Sequence, residues 1–174
     1  MPYLRDEKLA RDWAIPGVKG LEHRVGGLEK EDLTGNISYD PDNHEKMVKI
    51  RAAKIDGIAN HIPLQTIDTG TEKGKLLVLA WGGTYGTIKS AVKTAREQGL
   101  DVSHAHVKYM NPLPKNLGTL IANFETVLIP ELNNGQLIKI IRDKYLIDAK
   151  GLNKIMGLPF TVEEVLNKIK EMID

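Results

Sequence analysis

The sequence predicts an α/β fold, a three-layer α/β/α sandwich around a mainly parallel five-stranded sheet. Three observations carry this. Leu76 to Ala80 is an unbroken apolar or small run, as expected of a strand buried on both faces. Ile88, Ala91, Val92 and Ala95 then recur at helical spacing, and Gly99 offers a left-handed helix stop. The same strand-then-helix rhythm continues to the C-terminus.

The chain divides near residue 62. Residues 1–62 read as an extended arm and a connecting helix, and residues 63–174 as the α/β domain. From Pro16 to Pro41, both counted, stand seven glycines or prolines with mixed charges and no sustained periodicity, so this segment builds no core of its own. Asp40 followed by Pro41 is a helix start: a capping carboxylate, then the residue whose missing N–H costs nothing in the first turn. Val48, Ala52, Ile55 and Ala59 form an apolar stripe on that helix, which ends near Asn60. Leu64 to Asp68 is read as a short antiparallel strand preceding the parallel ones.

After the first strand and its helix, Val102 to Tyr109 forms the second parallel strand. Asn111 to Pro114 breaks it before a short helix carrying Leu117, Leu120 and Ile121. Thr126 to Pro130 is the third strand, followed by a helix from Asn133 or Asn134 that buries Leu137, Ile138 and Ile141. A last strand near Leu152 to Met156 leads to the final helix. That helix carries the clearest start signal in the chain, since Thr161 and Glu164 have capping-box spacing and Phe160 and Val165 that of a hydrophobic staple.

Composition narrows the function. The 174 residues carry a net charge of +1, which gives no field for nucleic acid, and no run has the apolar length of a membrane span. With no cysteine, disulfides, a thiolate nucleophile and cysteine-held iron–sulfur clusters are excluded within this chain. No secretory signal begins it, so a soluble cytoplasmic protein is expected. The turn at Gly82 and Gly83 invites a dinucleotide reading, but aligning Gly83 and Gly86 with the last two glycines of GxGxxG puts Trp81 where the first must stand. The glycines are read as turning the chain.

Candidate chemistry is sparse. Glu131 closes the third strand, and Trp81, Tyr109 and Asn111 should open onto the same carboxyl edge, where doubly wound sheets bind ligands. Those four are a possible crevice; the competing reading has Glu131 and Asn133 pinning the loop and capping the next helix, and that reading is favoured. His44 and His61 fall at the two ends of the arm helix and read as capping residues. His104 and His106 share one face of a strand, yet no cysteine or acid accompanies them there, so no metal site is expected. His23 and Arg24 lie in the glycine-flanked arm, placed for an interface salt bridge or a carboxylate ligand.

Several stretches in order, GLEHRVGGLEK (Gly20 to Lys30), TGNISYDPDNHEKMV (Thr34 to Val48), WGGTYG (Trp81 to Gly86), NPLP (Asn111 to Pro114) and IPELNNGQL (Ile129 to Leu137), resemble the alpha subunit of 2-oxoacid:ferredoxin oxidoreductases, the 2-oxoglutarate class above all. The resemblance covers only the C-terminal part of that subunit, a domain similar to the transketolase C-terminal domain with its connecting arm. It implies an oxidoreductase that turns a 2-oxoacid and coenzyme A into acyl-CoA and carbon dioxide. Thiamine diphosphate, magnesium and iron–sulfur clusters are then expected in the rest of the complex, with none bound by this chain, which alone should be inactive. Partners implied are the pyrimidine-binding domain, the thiamine-binding beta subunit and ferredoxin, in an oligomer. Under the same resemblance, His23 and Arg24 become candidates for a substrate carboxylate or an interface. Met1, directly before a segment that looks internal to the family, suggests an excised domain or a separately encoded piece. Two alternatives stand beside this: a free-standing small-ligand-binding module, and the equivalent domain of transketolase or dehydrogenase E1 beta.

Overall fold

The computed structural model describes residues 1–173, which form two compact units, Met1–Ile62 and the part from Pro63 onward. In the first unit the chain runs mostly without regular structure to α1 (Pro41–Gly57) and a 3₁₀ turn, Ile58–Asn60. Asp40 caps α1, its side chain accepting from the Asp42 amide at 3.1 Å, with Pro41 in the first turn. The apolar stripe expected on α1 does not face a core. Val48, Ala52 and Ile55 are exposed, and the helix buries Met47 instead. Three isolated antiparallel bridges, Tyr3 with Leu33, Arg5 with Arg11 and Lys30 with Ile37, tie the arm together.

The second unit is a four-stranded parallel sheet ordered β2-β1-β3-β4, made of β1 (Gly74–Trp81), β2 (Val102–Val107), β3 (Phe124–Glu131) and β4 (Lys150–Asn153). Helices α2 (Tyr85–Glu97), α3 (Leu117–Ile121), α4 (Gln136–Tyr145) and α5 (Val162–Ile173) cover it. Alternation along β1 divides the core. Leu76, Val78 and Ala80 pack with Ile88, Val92, Val165 and Ile169 under α2 and α5, whereas Leu77 and Leu79 pack with Leu117, Leu120, Leu137 and Ile141 under α3 and α4. Both faces are therefore dry, as the unbroken apolar run requires.

The fifth strand expected over Leu64 to Asp68 does not form. Asn116 takes over part of its backbone, its Oδ1 accepting from the Gln65 amide at 2.8 Å and its Nδ2 donating to the Gln65 carbonyl at 2.8 Å. Only a single antiparallel bridge, Thr69 with His104, reaches β2. The last strand also begins earlier than its apolar residues suggest, at Lys150, in register with Leu128 of β3. The final helix follows the capping-box pattern. The Glu164 amide donates to Thr161 Oγ1 at 3.2 Å, the Thr161 amide donates back to Glu164 Oε2 at 2.7 Å, and Phe160 and Val165 are buried in one cluster.

Candidate functional site

The order β2-β1-β3-β4 reverses direction between β1 and β3: the chain leaves β1 for β2 on one side, then crosses to β3 on the other. A doubly wound sheet opens its ligand crevice outside the carboxyl ends of those two strands. The register Val78 with Leu128, continued three residues, sets Trp81 opposite Glu131 at this switch point.

In this chain the switch point is filled. Trp81 Nε1 donates to Glu131 Oε1 at 3.2 Å. The same oxygen accepts from the Leu137 amide at 2.7 Å, and Oε2 accepts from the Ile138 amide at 3.1 Å. Glu131 is fully buried, and its carboxylate caps α4. The helix starts at Gln136 rather than at Asn133 or Asn134, because Asn133 Oδ1 instead accepts from the Gly135 and Gln136 amides and Gly135 turns the chain at φ +78°. Both carboxylate oxygens of Glu131 thus accept from donors of its own fold.

The other two crevice candidates stand apart from this contact. Tyr109 and Asn111 lie beyond β2 and are exposed. Tyr109 lines a cleft of about 190 Å³ with Gln65, Asp68, His106 and Lys108.

His104 and His106 sit on the α2 face of β2 beneath Tyr85, with ring centroids 5.6 and 5.0 Å from it and 5.9 Å from each other. Neither ring nitrogen of His104 has a hydrogen-bond partner, nor has Nδ1 of His106. Burial pushes the His104 imidazole down to about 4, against a smaller opposing pull from Asp68 and with His106 and Lys89 adding to the push. His106 is lowered chiefly by burial as well. A neutral pair of this kind packs as aromatic surface. Among the described residues no group of three His, Asp or Glu side chains converges to hold a metal.

In the arm, His23 Nδ1 lies 2.9 Å from the Leu21 carbonyl and the ring meets Tyr3 edge-on at 5.9 Å. Arg24 is exposed. Glu29 organises this unit: Arg51 donates to both of its oxygens at 3.0 and 3.1 Å, and His44 approaches at 2.7 Å. These bonds, the Arg51 one first, hold the Glu29 carboxyl down at about 2. Sequence reasoning passed over Arg5, Arg11, Lys30 and Arg51, which share no spacing and are gathered only by the fold.

Residues 74–165 match the family described as pyruvate:ferredoxin oxidoreductase core domain II. The chain is 48% identical over 165 residues, 94% of its length, to the 2-oxoglutarate oxidoreductase subunit KorA of Mycobacterium tuberculosis, of which it covers 25%. It superposes with a TM-score of 0.89 at 29% identity on a 2-oxoglutarate:ferredoxin oxidoreductase from Magnetococcus marinus solved with 2-oxoglutarate, coenzyme A and succinyl-CoA bound, covering 99% of this chain and 30% of that one. A split-gene transketolase shares the fold alone, with a TM-score of 0.50 at 14% identity over 63% of this chain and 41% of that one. The chain spans about a quarter of the length of the curated relative it matches over most of its residues. The chain belongs to the pyruvate:ferredoxin oxidoreductase core domain II family, as the C-terminal part of an alpha subunit of the 2-oxoacid:ferredoxin oxidoreductases.

Proposed function

We propose that this chain is the structural and assembly part of a thiamine-diphosphate-dependent 2-oxoglutarate:ferredoxin oxidoreductase, which converts the 2-oxoacid and coenzyme A to acyl-CoA and carbon dioxide. Residues 1–62 serve as the connecting arm, and residues 63–174 as the transketolase C-terminal-like domain that docks against the rest of the enzyme. The observation that carries this reading is the 48% identity extending over both units, arm included. His23 and Arg24 in the arm are then placed for an interface or a substrate carboxylate, and Tyr109 and Asn111 for the edge facing a neighbouring domain.

The residues present do not fit thiamine diphosphate. The carboxylate at the switch point is engaged by three donors of its own fold, and a chain without cysteine supplies no thiolate to an iron–sulfur cluster. In this reading the cofactor, magnesium and clusters belong to the pyrimidine-binding domain, the beta subunit and ferredoxin, in a cytoplasmic oligomer. The test is calorimetric titration of the chain with thiamine diphosphate and magnesium, alongside co-expression with the remaining segments. No binding by the chain, and co-purification with a thiamine-containing, 2-oxoglutarate-oxidising assembly, are expected. Saturable micromolar binding by the chain alone, or its purification as a lone monomer from such co-expression, overturns the proposal.

A further inference from the structure

The first unit gathers more cations than its own carboxylates balance. A turn at Asp6, whose side chain accepts from the Lys8 and Ala10 amides at 2.9 and 2.8 Å, sets Arg5 opposite Arg11 across an antiparallel bridge. Like charges so placed oppose the pairing unless a carboxylate lies beside them. Asp32 meets Arg5 at 3.3 Å and is shared with Lys46 at 2.7 Å. Arg11 makes no ion pair among the described residues and lies 3.9 Å above the Tyr3 ring. Lys30 is 5% exposed, and its Nζ donates to the Gly26 and Leu28 carbonyls at 3.1 and 2.7 Å without an ion pair among the described residues. Burying an ammonium group without a counter-charge is costly.

Two clefts collect these charges. The first, of about 460 Å³, has Arg5, Arg11, Lys30, Arg51 and Lys54 in its walls, and its one carboxylate, Glu29, is already engaged by Arg51. The second, of about 600 Å³, shares Arg11 and Lys54 and adds Asp12 and His23, the His23 ring lying 2.9 Å from the Leu21 carbonyl. With Arg5 and Arg51 paired, Arg11, Lys30 and Lys54 face Asp12 alone, an excess of two positive charges. Apolar walls stand beside them, for Leu28 and Ile15 are exposed and the Trp13 side chain is 89% exposed. An open indole next to an unpaired arginine has the composition of an interface anchor.

We infer that the two clefts are a socket for an acidic protein segment from the rest of the enzyme, with two carboxylates set against Arg11, Lys30 and Lys54 and a large apolar side chain laid on Trp13. The inference rests on the proposed assembly role and names the chemistry of the partner at this surface. Charge complementarity carries it. Two carboxylates cancel the excess, relieve the opposition of Arg5 and Arg11, and give Lys30 the counter-charge that its own unit withholds. The apolar contact on Trp13 and Leu28 excludes water from these pairs, which strengthens them. Room for such a segment exists in an enzyme of this family, since the chain covers only 25% of the relative to which it is 48% identical.

The test is co-expression of the chain with the remaining segments of the oxidoreductase, followed by pull-down at graded salt and by carbodiimide coupling, which joins an ammonium group to a carboxylate that touches it. The parent should assemble, less well as salt rises, and Lys54 should couple to an Asp or Glu of another polypeptide. Arg11→Glu and Trp13→Ala should each weaken retention about tenfold or more. Lys19→Glu, which changes an exposed arm lysine outside both clefts, should leave it unchanged. Lys54→Arg keeps the charge but cannot couple, so assembly should persist while the cross-link disappears. Circular dichroism checks that the variants fold, and if Arg11→Glu does not, the Lys54 coupling decides. Failure of the parent to assemble overturns the proposed function and this inference with it. Assembly of the parent that is unmoved by Arg11→Glu or by Trp13→Ala, a loss as large in Lys19→Glu, or coupling of Lys54 only within this chain or to a second copy of it would each overturn the inference alone.

Discussion

The two units solve the problem of order differently. From Pro63 onward, apolar clusters lie on both faces of the sheet, and buried side chains from all the covering helices meet it. In Met1–Ile62, Met47 is the one large apolar side chain fully buried, while Leu4, Trp13, Ile15, Val25 and Tyr39 are exposed. What holds the arm is polar: carboxylates that cap turns, Glu29 and Asp32 shared among cations, and side chains returned to backbone carbonyls. Apolar burial is non-directional and gains with every added contact. Polar contacts in partial solvent contribute little each and demand particular partners. The α/β unit should therefore tolerate almost any single polar loss at its surface, yet fail when a buried donor is orphaned.

Glu131→Ala should be the most damaging change. It strips a fully buried acceptor from the Leu137 and Ile138 amides and the Trp81 indole. Orphaned buried donors cost about 1–3 kcal/mol each, so a loss on the order of 3 kcal/mol or more is expected in urea unfolding. Glu131→Gln keeps one acceptor oxygen and should fall between that variant and the parent. If Glu131→Ala unfolds at the parent's urea concentration, the carboxylate is not holding α4.

Acid should separate the two units next. The folded-state value of His104 is depressed to about 4 from an ordinary 6.5, so between those values the unfolded chain binds the proton and the folded one does not. The α/β unit is at full strength above 6.5 and loses stability as pH falls toward 4, with Asp68 opposing and Lys89 and His106 reinforcing the effect. Glu29 runs lower: its folded value of about 2 lies below an ordinary 4.5, so the arm keeps that contribution above 4.5 and loses it as pH falls toward 2. Ring-proton NMR of His104 reads the first window directly. A midpoint near 6.5 would show that the ring is not held neutral by burial.

These residues also mark what was legible in the sequence. Leu76 to Ala80, the Ile88 to Ala95 face and the Thr161–Glu164 spacing are local patterns, and local patterns survive folding because neighbouring residues enforce them. Glu131 was readable as the end of a strand, and capping was the favoured reading of it. Its bonds to Leu137 and Ile138 were not readable, because they depend on the left-handed Gly135 delaying the helix. Leu64 to Asp68 reads as a strand ahead of the turn at Gly70 to Gly74; a side chain fifty-one positions away from Gln65, Asn116, takes its backbone bonds instead. The arm cations carried no signal at all, since no period relates residues 5, 11, 30, 51 and 54.

Thr161→Ala sharpens the comparison at moderate cost. It removes the oxygen that accepts from the Glu164 amide, and such cap losses are about 0.5–2 kcal/mol. Val165 and Ile169 stay buried, so the helix should remain docked and the unit should stay cooperative. Urea unfolding of the variant checks this. A stability equal to the parent's would mean that Lys154, which also bonds Glu164, carries the helix start instead.

The smallest effect should come from the contact that looks strongest on the surface. Arg51 meets Glu29 through two parallel bonds, but its side chain is 51% exposed and Glu29 keeps His44 as a second partner. An ion pair so placed contributes about 0–1 kcal/mol, and salt screens part of that. Arg51→Ala should therefore leave the urea midpoint of the α/β unit untouched, because the change lies wholly within the first unit. Its trace should appear only in hydrogen exchange, as faster exchange at the amides of Lys30, Glu31 and Ser38, whose backbone bonds sit beside Glu29. Faster exchange in β1 or β3 as well would break the comparison, for it would mean that the polar arm and the apolar sheet unfold as one cooperative unit.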